Sequence, residues 1–170
     1  METQTQNDIS YIWTRLNRRW LLSGLISGVG AGLSMLLLAS FLSLKIHQEL
    51  TFPLKLIGAA VLGAQAMQIG QFGGGAFTGL LIHFGLASFF GLVFAQFVAE
   101  WSRKRVLFLM GLLGGLAVWL FWATMFMPSF NEPMGFLLPK GISLILHATF
   151  GLTFGVLIVV ARALFCQNKS

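Results

Sequence analysis

Charge is what this sequence has least of. Aspartate and glutamate together number 5 and lysine and arginine 11, so charged residues fill 9% of the 170 positions. A water-facing surface needs roughly a quarter of its residues charged, and a soluble domain of this length is thereby excluded. Cysteine is limited to Cys166, which leaves no disulfide framework. No acidic residue falls within the long apolar runs, so a carboxylate-based proton relay lacks its parts. The motifs H-E-x-x-H, G-x-S-x-G, G-x-x-x-x-G-K-[ST] and C-x-x-C are all missing. The expectation is a protein that is not an enzyme and that holds no metal.

What is abundant is apolar surface, at 56% of the residues. Four membrane spans of ~20 residues would consume about 80 residues, which leaves no room for a separate soluble domain. Residues 1–170 therefore read as a single membrane domain. A net charge of +6 suggests nucleic acid until the basic residues are located. They sit at the ends of apolar runs, so the expected partner is the lipid bilayer and no nucleic acid is expected.

Residues 9–20 (ISYIWTRLNRRW) place Ile9, Ile12, Trp13, Leu16 and Trp20 at helical spacing, with Arg15, Arg18 and Arg19 opposite. That pattern predicts an interfacial amphipathic helix. Spans are predicted at about 20–44, 77–99, 106–127 and 142–161. Residues 53–70 are apolar but interrupted by Lys55, Gln65 and Gln68. If this stretch does not cross, eight basic residues (Arg15, Arg18, Arg19, Arg103, Lys104, Arg105, Arg162, Lys169) share one side against Lys45, Lys55 and Lys140 on the other. If it crosses, the asymmetry is lost. The positive-inside rule thus favours both termini in the cytoplasm and a short re-entrant or interfacial helix at 53–70 on the outer side. The predicted fold is all-α: a polytopic membrane protein, a four-transmembrane-helix bundle with these two accessory helices.

Two halves of the chain resemble each other. Gly24–Gly28 (GLISG) matches Gly111–Gly115 (GLLGG) at an offset of 87, and Leu81-Ile82-His83 matches Ile145-Leu146-His147 at an offset of 64. Gly91 and Gly155 follow the two histidines at the same distance. The pattern reads as a parallel duplication about an axis along the membrane normal.

Lipid tails are as apolar as leucine, so close packing at small residues must hold such helices together. Rows of this kind occur in every span: Gly24, Gly28 and Gly32; Gly79, Ala87 and Gly91; Gly111 and Gly115; Ser143, Gly151 and Gly155. The tryptophans Trp13, Trp20, Trp101, Trp119 and Trp122 read as an aromatic belt at the interfaces.

His83 and His147 continue two of these rows in steps of four, Gly79-His83-Ala87-Gly91 and Ser143-His147-Gly151-Gly155. Both imidazoles are therefore expected to point into the bundle, about 8 Å below the outer face. Polar side chains at such depth are functional candidates. Three readings are open. Each histidine donates a hydrogen bond to Ser88, Thr149, Thr153 or a backbone carbonyl. Alternatively the pair forms the axial ligands of a haem b in an electron-transfer protein. In the third reading they line a polar pathway with Gln65, Gln68, Ser88, Thr149 and Glu132.

His83 with Ser88 and Phe94-Ala95, the Gly111–Gly115 stretch, the proline-containing loop from Pro128, and His147 early in the last span give the chain a resemblance to the YagU-like bacterial inner-membrane proteins and related four-span families, over roughly residues 53–162. The resemblance implies an inner-membrane location and supplies no catalytic residues. The functional expectation is a small accessory or transport-related protein with an outer-side intramembrane polar site around the two histidines and no cofactor. A structural subunit of a larger complex, pairing with its own copies or with other membrane subunits, is the further alternative.

Overall fold

The computed structural model describes residues 18–68, 73–98, 102–126 and 136–165. The interfacial helix expected at 9–20 lies outside the described residues apart from its last three positions, which form the first turn of a longer helix.

Among the described residues, five helices follow in order: α1 (Arg18–His47), α2 (Phe52–Leu62), α3 (Gly74–Phe97), α4 (Lys104–Phe121) and α5 (Lys140–Phe165). A 3₁₀ turn (Gly63–Met67) extends α2, and a π turn (Trp122–Phe126) extends α4. No strand occurs among the described residues. α1, α3, α4 with its extension, and α5 are long and apolar enough to cross a membrane. α2 has 11 residues, which rise only about 16 Å, well short of a ~30 Å hydrocarbon layer.

The close pairs are α1 with α3, α1 with α5, α4 with α5, and α2 with α3. α1 is thus the central helix, while α3 and α4 do not pack closely. Glycine explains these pairs. A Cβ on Gly91 would overlap the Gly24 carbonyl, and one on Gly28 would overlap that of Ala87. In the other hairpin a Cβ on Gly111 would lie 2.7 Å from Gly155 Cα, and one on Gly115 would lie 2.7 Å from Gly151 Cα. Offsets of 87 and 64 convert the first set of contacts into the second. The two halves therefore share their antiparallel helix contact as well as their sequence.

α2 lies antiparallel along α3 by the same device, with Gly79 facing the Leu54 carbonyl and Gly58 facing that of Gly75. Between α1 and α5 the contact is aliphatic and hydroxylic: Leu157 fills the space over Gly30, and Ser34 Oγ donates to Thr153 Oγ1 at 3.0 Å. Aromatic rings bridge α3 and α5, with Phe94 and Phe154 centred 4.7 Å apart.

Trp20 departs from the aromatic-belt expectation. It is buried, and its indole Nε1 donates to the Val98 carbonyl at 3.0 Å, tying the start of α1 to the end of α3. Lys55, read from sequence as an interruption, is 2% exposed. Its ammonium is held by the Glu49 carboxylate and the Gln68 carbonyl. Thr51 Oγ1 also donates to Glu49 at 3.0 Å, and Ser43 Oγ donates to the Glu49 carbonyl at 2.8 Å. A buried charge needs such partners, and this knot locks α2 to the end of α1.

Candidate functional site

A cavity of about 150 Å³ lies at the end of the bundle where α1 finishes and α5 begins. Every helix contributes to its wall. α1 presents Met35, Leu36, Ala39 and Ser43, and α2 presents Phe52, Leu56 and Ile57. α3 adds His83, Leu86 and Phe90. Val118 and Trp122 come from α4 and its extension, and Ser143, Leu146, His147 and Phe150 from α5. Both histidines thus face one space, as the small-residue rows require. The space is walled by apolar side chains except at the two imidazoles and the two serines.

Each histidine is fixed by a carbonyl. His83 Nε2 is 2.8 Å from the Gly32 carbonyl oxygen on α1. Gly32 permits this approach, because a side chain there would meet Ala87 Cβ and His83 itself. His147 Nδ1 is 2.8 Å from the carbonyl oxygen of Ser143, one turn earlier on its own helix. A carbonyl only accepts, so each bonded nitrogen must carry the proton. In the neutral rings the network therefore assigns the Nε2–H tautomer to His83 and the Nδ1–H tautomer to His147. The lone pairs left over are His83 Nδ1 and His147 Nε2.

Of the expected hydrogen-bond arrangements, the backbone carbonyl is the one found, across helices for His83 and within the helix for His147. The hydroxyls named as alternatives are engaged elsewhere or apart. Thr153 receives Ser34, and Thr149 Oγ1 donates to the Ile145 carbonyl.

The residues of the expected polar pathway are not brought to the cavity. Gln65 and Gln68 are exposed on the turn after α2, and neither they nor Ser88 nor Thr149 lines its wall. Glu132 lies outside the described residues. The physical reason is register: Ser88 and Thr149 follow their histidines by five and two positions, off the four-residue step that keeps a side chain on one helix face.

Two polar atoms escape sequence reasoning. Among the described residues, Ser143 Oγ and Trp119 Nε1 are buried without a hydrogen-bond partner. Ser143 is 1% exposed and lines the cavity. The sequence marks it only as a small residue in a packing row. Continuing the α4–α5 register from Gly111–Gly155 and Gly115–Gly151 brings Trp119 level with His147.

Among the described residues no cluster of three or more His, Cys, Asp or Glu side chains gathers to hold a metal ion. As for a haem, Nε2 of His147 is available, but the corresponding nitrogen of His83 is committed to Gly32. The cavity volume also lies below the roughly 300 Å³ at which cofactor pockets begin.

Comparison with protein-family models, with curated proteins and with solved structures finds no match to this chain.

Proposed function

We propose that this chain is a small, non-enzymatic membrane protein, accessory or transport-related, whose cavity between His83 and His147 receives a small, neutral, largely apolar molecule. One observation supports the reading above all: two imidazoles from different helices, 64 positions apart in the chain, line one space whose remaining walls are mostly hydrocarbon. A cavity of this volume accepts a benzene-sized guest. Charged substrates are disfavoured, because bringing a charge into it without a counter-charge is costly. A bacterial inner membrane, both termini in the cytoplasm, and a re-entrant α2 on the outer side belong to the same proposal.

The test uses the full chain in lipid nanodiscs and fluorobenzene followed by ¹⁹F NMR, with empty nanodiscs as reference. Saturable binding that disappears when Ala39→Leu fills the space supports the reading. Partitioning no different from that into empty discs overturns it. The haem alternative would require His83 to release Gly32 and the cavity to widen. A Soret band in protein purified from haem-replete cells would establish that alternative instead.

A further inference from the structure

We infer that the cavity is selective for a phenol-class ligand: a single aromatic ring carrying a hydroxyl group, recognised through its O–H by the unbonded imidazole nitrogens and Ser143. This inference rests on the proposed cavity-binding role and specifies its ligand.

The cavity sets the body of the ligand. At about 150 Å³ it admits one six-membered ring. Its walls offer aliphatic and aromatic contact, from Leu86, Phe90, Leu146 and Phe150 among others.

The polar atoms set the functional group. With the backbone carbonyls of Gly32 and Ser143 each accepting a hydrogen bond from an imidazole N–H, each neutral ring keeps one nitrogen as an acceptor. Neither lone pair has a partner among the described residues. Ser143 Oγ, the third polar group on the wall, can donate or accept, and it also stands unpartnered although fully buried. A buried hydroxyl without a partner is destabilising, so its presence at a cavity wall points to a ligand that satisfies it. Two acceptors and one amphoteric hydroxyl suit a neutral donor. They do not suit an anion, for which no fixed donor is offered. A ketone or ether brings only acceptors, and these would face the two nitrogen lone pairs. A hydroxyl on a ring can both donate to an imidazole nitrogen and accept from Ser143.

The experiment compares 4-fluorophenol with 4-fluorotoluene, which replaces the hydroxyl by a methyl group of similar size. Binding to the full chain in nanodiscs is read by ¹⁹F NMR and corrected by the partition of each compound into empty discs. The phenol is expected to bind about tenfold more tightly than the toluene. Ser143→Ala and His147→Phe should each reduce that ratio to about threefold or less. Ser143→Ala carries a second readout. It removes a buried orphan hydroxyl, so the unfolding midpoint in detergent should rise while phenol selectivity falls, a combination that a packing role for Ser143 does not produce. If both compounds bind saturably and equally, the donor-recognition inference is overturned and the cavity reading stands. If neither exceeds its partition into empty discs, both are overturned. Selectivity unchanged in both variants also overturns the assignment.

Discussion

The imidazole of His83 on α3 donates from Nε2 to the carbonyl oxygen of Gly32 on α1, 2.8 Å away, a side-chain hydrogen bond across a helix pair packed mainly at small residues. His147 spends its equivalent bond inside its own helix. The two histidines should therefore differ in what they contribute to stability. His83→Leu is expected to cost about 1 kcal/mol, the scale of an interhelical hydrogen bond in a membrane protein. His147→Leu should cost less than half of that. Reversible unfolding in mixed micelles measures both, and an equal or inverted order would contradict the assignment.

Gly114 and Gly115 are neighbours in sequence with opposite surroundings. A Cβ on Gly115 would lie 2.6 Å from the His147 carbonyl oxygen, whereas one on Gly114 has nothing within 4 Å. Gly115→Ala is expected to force α4 and α5 apart at a cost of about 2 kcal/mol. Gly114→Ala should be neutral or stabilising by up to about 1 kcal/mol, as alanine is the better helix former. The same unfolding assay separates them.

The Lys55–Glu49 pair predicts an asymmetry of its own. Lys55 is 2% exposed and Glu49 17%. Removing the carboxylate strands a fully buried ammonium, so Glu49→Ala should cost about 3 kcal/mol. Removing the ammonium leaves a carboxylate with a route to water, and methionine fills the vacated volume. Lys55→Met should therefore stay within about 1 kcal/mol of the parent. Detachment of α2, read as faster proteolysis near residue 63, should accompany the first change and not the second.

How much of this was legible in the sequence depends on which physical property was being read. The four long helices were legible because hydropathy over ~20 residues reports directly on the solvent that a helix can tolerate. The glycine rows were legible because a four-residue step is a face, and Gly24, Gly28, Gly91, Gly111, Gly115, Gly151 and Gly155 do stand where helix backbones approach. The inward turn of both histidines followed from those rows. The partners did not. Lys55 read as a break in an apolar segment, because the carboxylate that neutralises it belongs to the preceding loop and meets it only after α2 docks. Trp20 read as interfacial, since nothing local reveals the carbonyl of Val98 78 positions away. Gln65, Gln68, Ser88 and Thr149 do not line the cavity, for a related reason: hydrophilic residues near a histidine in sequence are not near it in space unless they share its face.

The predicted orientation rests on the basic residues at 103–105 and can be checked with the single native thiol. Cys166 should react with a membrane-impermeant maleimide only after the cytoplasmic side is opened, and a cysteine introduced at Ser102 in a Cys166→Ser background should behave identically. Labelling of both positions from the outer side, with the N-terminus remaining inside, would require 53–70 to cross, because two spans separate Ser102 from Cys166 in either topology.

The two histidines are unequal in a specific manner. The position occupied by Gly32 in the first half corresponds to Trp119 in the second, and where His83 bonds the Gly32 carbonyl on α1, His147 bonds the Ser143 carbonyl on its own helix. The nitrogens left without these carbonyl bonds are a δ nitrogen on one helix and an ε nitrogen on the other. Surroundings with matching helix contacts are thus handed at their centre, and under the proposed binding role a molecule with two dissimilar ends would have one preferred way round.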